Sequence, residues 1–252
     1  MVPDAGFFAL SPDLDHAGVI AANVAEAALM LAVMAPDTMA AARLTDGVRG
    51  AVIGYARDWF AQDPALDAAV LRALDDAAGA LSLAGAQIVE VQLPDYALME
   101  AVGAVMIHVQ GLHLHETSLR EKAHLWGRMA TQTVMAGAIL TDVDLQAAME
   151  LVPALTEGVT RAMNGCDALI TATTLAPAPP FAMFDKGAVW TPMRTLPFNV
   201  TGHPALSLPA GFANGLPIGI QIIGRHGDEA GILRIASAYE GCTDHAVVPT
   251  PL

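Results

Sequence analysis

Apolar residues recur at helical spacing in several parts of this chain, and these parts frame its predicted architecture. The first of them predicts a helix over residues 20–34, which Pro36-Asp37 ends. From residue 96 to residue 165 the pattern is mostly helical and long enough for three or four helices. A closing helix is predicted over residues 228–240, so helices should make up much of the chain.

A strand precedes and a strand follows the second predicted helix. Residues 48–55 and 87–93 contain apolar runs of strand length that include Val and Ile. Between them, Asp63-Pro64 offers an N-cap and a first-turn proline for a helix that reaches Leu83. A helix between two strands predicts a βαβ-like unit.

The remaining strands are predicted in the second half of the chain. The run DALITA at residues 167–172 predicts a buried strand, and a loop rich in Pro and Gly follows over residues 173–188. Two further strands are predicted over residues 205–208 and 218–223, on either side of a turn. This alternation predicts a single α/β domain over residues 1–252, with a central mixed β-sheet flanked by helices.

The charge balance excludes one large class of partner. The chain carries 26 acidic against 12 basic residues, for a formal net charge of −14, and its only lysines are Lys122 and Lys186. Binding to nucleic acid or to an anionic membrane needs clustered basic residues, so neither partner is expected. Hydrophobic residues make up 54 % of the chain and charged residues only 15 %. Two interpretations stay open: an alanine-rich enzyme, or a protein whose apolar surface meets a partner.

Cysteine content and the lack of targeting signals indicate a cytoplasmic protein. Cys166 and Cys242 are too few for a disulfide framework or a four-ligand zinc site. Residues 1–10 lack the basic and apolar regions of a signal peptide. The longest uncharged run, residues 195–224, contains four prolines and five glycines, so no membrane helix is expected.

The most specific pattern lies between Pro197 and Arg225. It runs PFNVTGHPALSLPAG and, three residues later, GLPIGIQIIGR. This succession of Gly, Pro, Asn and Gln closely resembles the C-terminal region of the amidase-signature family, whose fold also occurs in the A subunit of an amidotransferase. Two other stretches agree in the same order, SPDLDHAG from Ser11 and DALITATTLAPAPP from Asp167. The resemblance therefore covers nearly the whole chain and is weakest in its helical middle.

Most of these matching positions carry a structural interpretation. Prolines and glycines end strands and permit tight turns. Gln221 lies inside an apolar strand and would need buried hydrogen-bond partners. Asn199 is expected to bond neighbouring backbone at a turn.

The resemblance implies an amide carbon–nitrogen hydrolase that uses neither cofactor nor metal. In that family a serine attacks the carbonyl, a second serine relays its proton to a lysine, and backbone N–H groups hold the oxyanion. These groups precede the motif that begins here at Ser11, and no serine of this chain lies in a Gly-Gly-Ser or Gly-x-Ser-x-Gly context. The chain is therefore expected to form an incomplete amidase-signature fold, to hold no catalytic residue and to be inactive alone.

Two constellations outside the motifs invite a chemical interpretation. Ser118 and Lys122, four residues apart on a predicted helix, could share a face, but a chance surface pair is favoured. His113 and His115 suggest a metal site, yet on a helix they would point about 160° apart. A polar helix face is therefore favoured over metal binding.

If the catalytic segment were supplied, two loops of this chain should complete the substrate pocket. The resemblance places them after the 167–172 strand and before the FN motif, and the residues expected to bind substrate are Thr173, Thr174, Pro177, Trp190 and Arg194. Trp190 would form an apolar wall or merely plug its loop. Arg194 would pair with a substrate carboxylate or be solvated. Both alternatives stay open.

Two hypotheses for the whole protein stay open as well. The first is an incomplete amidase that acts on a small-molecule amide once it is complemented. The second is a non-catalytic interaction subunit, or one half of a split enzyme, bound to the missing N-terminal half or to a second copy. Loss of part of a mixed sheet would expose strand edges, which favours such a partner.

Overall fold

A mixed sheet of five strands forms the centre of the computed structural model, which describes residues 2–3 and 5–245. The strands are β1 (Val52–Tyr55), β2 (Gln87–Glu90), β3 (Ala168–Ala172), β4 (Ala205–Ala213) and β5 (Leu216–Ile223). Their order is β2-β1-β3-β5-β4. Strand β1 runs parallel to β2 and β3, whereas β5 is antiparallel to β3 and β4.

Helices cover both faces of this sheet, so the predicted central mixed sheet flanked by helices is confirmed. Those with α-helical geometry in the described residues are α1 (Val24–Met34), α2 (Asp58–Ala61), α3 (Ala68–Leu83), α4 (Tyr96–Lys122), α5 (Arg128–Met135), α6 (Asp142–Ala162), α7 (Leu196–Thr201) and α8 (Glu229–Gly241). Short 3-10 turns lie between several of them.

Alternation along the central strands divides the core into two clusters. Ile170 and Ile222 point to one face, where they pack with the buried residues of α1, α3 and α8. Their neighbours Leu169 and Ile223 point to the other face, where they pack with α4, α6 and α7. Because β3 has helices on both sides, all five of its residues are buried, as its unbroken apolar run predicted.

The element boundaries differ from the predicted ones mainly at helix starts. The helix predicted from Asp63-Pro64 begins instead at Ala68, and the side chain of Asp67 caps it by accepting from the N–H of Ala69. Both aspartates suit an N-cap, so the sequence alone did not distinguish them. The first helix likewise starts at Val24 and not at residue 20.

The hairpin near the end of the chain is longer than predicted. Strand β4 continues past Leu208 to Ala213, with a register shift between Pro209 and Gly211. The turn is Asn214-Gly215, with φ of 53° and 78°, which is the left-handed pair that a type I′ hairpin requires.

Helix α4 is the longest element of the fold. With the turn that follows it, Tyr96–Leu125 is long and apolar enough to cross a membrane by length and composition, a property that was not predicted from the sequence pattern. Met99, Val102 and Met106 of this helix are buried in the same cluster as residues of α6 and α7. This packing is typical of a core helix in a globular domain.

Helix α7 was not predicted, because it is short and contains Pro197. It ends at Gly202, whose φ of 68° gives the left-handed C-terminal residue common at helix ends. Asn199 lies inside α7, and its Nδ2 atom donates to the carbonyl of Leu14, 2.9 Å away. The prediction that Asn199 bonds neighbouring backbone at a turn is therefore wrong, since it ties α7 to the N-terminal SPDLD segment.

Candidate functional site

The two loops predicted to bind substrate lie side by side at the end of β3. Thr174 and Met193 form an antiparallel bridge. The N–H of Leu175 donates to the carbonyl of Pro192, and the N–H of Arg194 donates to the carbonyl of Thr173, both at 2.9 Å. The backbone thus joins segments 173–175 and 192–194 into one two-stranded wall.

Gln221 of β5 fastens this wall to the sheet. Its side chain is buried, and its Nε2 atom donates to the carbonyl of Arg194 at 3.2 Å and to that of Ala172 at 3.4 Å. The predicted need of Gln221 for buried partners is confirmed. Because an unpaired amide in this position would be costly, the glutamine fixes the end of the second loop, at Arg194, against β3.

Arg194 lies beneath the wall and is only 2 % exposed. Its guanidinium forms an ion pair with Asp63 and lies over the ring of Tyr96, 3.5 Å from the ring centroid. Its Nε atom has no hydrogen-bond partner among the described residues. A solvated Arg194, one of the two sequence alternatives, is therefore wrong, and the carboxylate that the guanidinium contacts is that of Asp63.

Trp190 stands at the outer end of the same wall and is 47 % exposed. Its Nε1 atom donates to Oε1 of Glu100 on α4, and the hydroxyl of Tyr96 also lies 2.5 Å from that oxygen. Burial, and secondarily this contact with Glu100, raise the pKa of Tyr96. The indole is thus held at its Nε1 atom and stays nearly half exposed. Tyr96 and Glu100 carry no motif, so sequence reasoning missed them.

The hydroxyl groups of the wall are engaged locally. Thr173 Oγ1 lies 2.9 Å from Ser207 Oγ, and Thr174 Oγ1 donates to the carbonyl of Ala176 at 2.9 Å. Pro177 is half-buried at the rim and has no side-chain polar atom to contribute. The structure therefore brings Thr173, Thr174 and Arg194 together. Pro177 and Trp190 both lie beyond the end of the wall that Leu175 and Pro192 form.

A cavity lies beside this wall and not within it. It has a volume of about 540 Å³ and runs along β4, between α1 and α7. Ser207 and Gln221 border both the wall and the cavity. The cavity lining also includes His16, His203 and His226, which no sequence motif connects.

The rings of His203 and His226 lie against each other at this cavity, with centroids 4.0 Å apart and planes tilted by 38°. The hydroxyl of Thr201 donates to the carbonyl of Pro197, so its oxygen accepts from Nδ1 of His203, and Nε2 of His203 faces the hydroxyl of Thr160. This network favours a neutral ring protonated at Nδ1. Burial, and secondarily the neighbouring His226, lower the pKa of His203 to about 4.

The serines of the chain have no basic partner in the described residues. Ser118 Oγ accepts from Trp126 Nε1 at 3.1 Å, Ser11 Oγ donates to Gln110, and Ser207 pairs with Thr173. No hydrogen bond joins any described serine to a lysine or a histidine, Lys122 included. None of these serines is therefore part of the nucleophile–base pair that acyl transfer requires.

The histidines of α4 point to separate partners. His115 is buried, stacks on Phe8 and lies 2.6 Å from the carbonyl of Ala9. His113 is exposed and faces Asp142. No group of three or more His, Cys, Asp or Glu suited to a metal ion occurs among the described residues. The polar helix face favoured from the sequence fits the exposed His113 but not His115, which is buried.

The comparisons with known proteins agree on one family. The sequence profile described as Amidase matches residues 1–233. The A subunit of the glutamyl-tRNA(Gln) amidotransferase of Myxococcus xanthus is 34 % identical over 93 % of this chain and 56 % of its own length. An amidase crystal structure superposes with a TM-score of 0.78 and 26 % identity, over 92 % of this chain and 54 % of that one. The crystal structure of the peptide amidase of Stenotrophomonas maltophilia superposes with a TM-score of 0.70 and 26 % sequence identity. The match covers 95 % of this chain and 56 % of that one.

Length separates this chain from its relatives. It spans about half the length of the curated relatives and solved structures that it matches. The matched part nevertheless includes both ends of the described sheet, the wall and the cavity. On the evidence of its sequence profile and its fold, the chain belongs to the amidase family.

Proposed function

We propose that this chain forms the substrate-binding wall of an enzyme that hydrolyses an amide carbon–nitrogen bond, and that it has no activity without the family's catalytic segment. The observation that carries the proposal is the joining of segments 173–175 and 192–194 into one wall next to Gln221. Membership of the amidase family gives the reaction class. A small-molecule amide is the substrate class, and no cofactor or metal takes part.

The residues of the wall have different roles in substrate binding. The exposed part of the Trp190 indole supplies an apolar surface against which the substrate side chain packs. Thr173 and Thr174 present hydroxyl groups beside it, and Pro177 limits the rim. Asp63 already neutralises Arg194, so we assign Arg194 to holding the wall in place through Asp63 and Tyr96.

The expected inactivity of the chain alone rests on the surroundings of its serines. A serine hydroxyl is a weak nucleophile unless a base removes its proton. The Oγ atoms of Ser11, Ser118 and Ser207 contact only an amide, an indole and a second hydroxyl. None of these groups is a base near neutral pH.

Ammonia release from the purified 252-residue chain tests the inactivity. The substrates are small primary amides with aliphatic, aromatic and charged side chains, and release should equal that of a buffer control. Ser118→Ala and Ser207→Ala variants are assayed in parallel. Release that one of these substitutions abolishes would sink the proposal, because the chain would then carry its own nucleophile.

Substrate binding by the wall is tested in the complemented enzyme, with the catalytic segment present. Trp190→Ala should raise KM by about tenfold and leave kcat nearly unchanged, since it removes binding that substrate and transition state share. Phe181→Ala is the matched control, because Phe181 is 93 % exposed and lies in the same loop region outside the wall. Equal effects of the two substitutions would remove Trp190 from the binding site.

A second function, that of a non-catalytic interaction subunit, is favoured by the apolar surface of α1. Leu29, Met30 and Val33 are 61 %, 48 % and 81 % exposed on a helix whose only charged residue is Glu26. Such a helix normally lies in a protein interior. Size-exclusion chromatography distinguishes the two functions, because an obligate interaction subunit should not persist as a monomer. We expect either protein in the cytoplasm, without nucleic acid or membrane.

A further inference from the structure

The two carboxylate oxygens of Glu100, at the outer end of the wall, have different surroundings. Oε1 accepts from Nε1 of Trp190 and lies 2.5 Å from the hydroxyl of Tyr96. Oε2 makes no hydrogen bond with the described residues and is not one of their buried unpaired atoms. Oε2 is therefore open to solvent, beside an indole that is itself nearly half exposed.

The hydroxyl of Tyr96 determines which oxygen of Glu100 stays open. It lies 2.5 Å from Oε1 of Glu100 and 2.8 Å from the carbonyl of Met193, and one O–H can donate to only one acceptor at a time. The carbonyl of Met193 already accepts from Nη1 of Arg194 at 3.2 Å. A hydrogen bond to a charged acceptor is the stronger one, so Tyr96 donates to Glu100. Both local donors thus engage Oε1, and Oε2 is the atom left for a ligand.

No positive charge of the described residues neutralises Glu100. Its carboxylate takes part in none of their ion pairs, and no other charged residue lies within four positions of it on α4. The arginine of the wall, Arg194, is already paired with Asp63. The described part of the wall therefore presents an uncompensated negative charge at Glu100 and no free positive charge.

Packing of α4 holds Glu100 in a fixed place relative to the wall. Gly103, one turn further along the helix, lies so close to Leu196 that an added Cβ would be 2.7 Å from the Cγ atom of that leucine. The ring of Tyr96, one turn before Glu100, packs edge-on against Trp59, with centroids 5.4 Å apart. Because these contacts fix the first turns of α4, the carboxylate loses little freedom when it receives a ligand.

The pair formed by Glu100 and Trp190 suits a positively charged side chain. A cation bound to Oε2 would also lie beside the indole, because the same carboxylate holds Nε1. Ammonium and guanidinium groups are attracted to the face of an indole, and their aliphatic stems pack on apolar surface. An anionic side chain would instead be repelled by Glu100. A neutral apolar side chain would cover Oε2 without giving it a donor.

We propose that the substrate is an amide whose side chain ends in an ammonium or guanidinium group, and that Glu100 selects it through Oε2 while Trp190 packs against its stem. Glu100 is a specificity-determining residue in this assignment and takes no part in bond cleavage. Both residues lie outside the three stretches that carry the family pattern, so the pattern does not assign this selectivity. The inference rests on the proposed function, since it names the substrate class of the same wall.

Binding of three matched primary amides to the full chain tests the proposal. ε-Aminocaproamide ends in an ammonium group, heptanamide carries a methyl group in its place, and adipamic acid ends in a carboxylate. NMR titration follows the indole N–H signal of Trp190, which a Trp190→Phe variant assigns. The dissociation constant of ε-aminocaproamide should be at least about tenfold below that of heptanamide, and adipamic acid should bind more weakly than either. Added salt should reduce the difference, because it screens the charge of Glu100.

Three results of this titration would overturn the proposal. They are equal binding of the cationic and the neutral amide, no detectable binding of either, and tighter binding of adipamic acid. The salt dependence of the wild-type chain is a second test that needs no variant. A preference for ε-aminocaproamide that salt leaves unchanged would contradict a selection by charge.

Glu100→Gln separates the charge of this residue from its structural role. Glutamine keeps the length of the side chain and can still accept from Trp190, so the indole should stay in place. The preference for ε-aminocaproamide over heptanamide should fall to about twofold or less. Glu121→Gln, at an exposed carboxylate about 30 Å further along α4, should keep the full preference. An unchanged preference in Glu100→Gln would refute the assignment.

Ammonia release from the complemented enzyme keeps the two proposals distinct. We expect release with a KM for ε-aminocaproamide at least about tenfold below that for heptanamide. Selective binding of ε-aminocaproamide without release would contradict the proposed function and leave the cation site standing. Release with the same KM for the two amides would support the proposed function and overturn the selectivity.

Discussion

Acid should destabilise this protein through His203. The imidazole is 5 % exposed, and its pKa is lowered to about 4, against an ordinary value near 6.5 in the unfolded chain. Between these two values the unfolded chain binds more protons than the folded one, so the free energy of unfolding falls as the pH falls. The stabilising contribution is complete above pH 6.5 and is lost as the pH approaches 4.

The size of the effect follows from the same two pKa values. Between about pH 7 and pH 5, His203 should remove about 2 kcal/mol from the free energy of unfolding. Hydrogen bonds lower the pKa values of Asp75 and Asp144, so these carboxylates also contribute stability that acid removes. The window lies above the ordinary carboxylate pKa, so the loss of stability within it arises from His203 and that of the two carboxylates occurs in stronger acid.

Urea unfolding followed by tryptophan fluorescence measures this slope at about pH 7, 6 and 5. In the His203→Asn variant, the part of the fall in unfolding free energy that arises from His203 should be absent, even if the substitution lowers stability at neutral pH. His124→Gln, at an exposed histidine, should retain the wild-type dependence. An undiminished fall in His203→Asn, or an imidazole titration of His203 near its ordinary pKa by NMR, would refute the reasoning.

Two further substitutions probe the wall and the helical layer. Asp63→Asn should lower the free energy of unfolding by about 3 kcal/mol, because it leaves the buried guanidinium of Arg194 without its carboxylate. Asp46→Asn, in an exposed ion pair, should lower it by less than about 1 kcal/mol, and similar losses in the two variants would contradict the argument from burial. Gly137→Ala should destabilise the protein by about 3 kcal/mol, since the added Cβ would meet a backbone oxygen. Gly79→Ala, in open space on α3, should stabilise it by up to about 1 kcal/mol, and thermal unfolding compares the two variants.

Elements with a strong local signal were predicted well from the sequence. The apolar run DALITA corresponds to β3, and the closing helix predicted over residues 228–240 lies at Glu229–Gly241. These segments combine dense apolar positions with clear boundaries, so neighbouring residues alone determine them. The family motif between Pro197 and Arg225 likewise corresponds to β4, β5 and their turn. The short helix α7 at its start could not be predicted from the pattern.

Side-chain partners far apart in the chain could not be predicted. Arg194 pairs with Asp63, 131 residues away, and Asn199 bonds Leu14, 185 residues away. Each of these residues has several chemically suitable partners, and only the packed tertiary structure selects one. The same holds for the cavity, because His16, His203 and His226 come together only when the N-terminal segment lies against α7 and α8.

The strand order has a consequence for the time course of folding. β4 and β5 are joined by the Asn214-Gly215 turn and close locally, whereas β1 and β3 must meet across a long loop, as the hydrogen bonds between Val52 and Asp167, 115 residues apart, show. Because closing a long loop costs more chain entropy, we expect the hairpin to form first and the parallel pairing to follow. At that stage the free edge of β4 is not yet covered by the helices. Pro209 has no N–H to donate, so it limits the pairing between β4 strands that would lead nascent chains to aggregate.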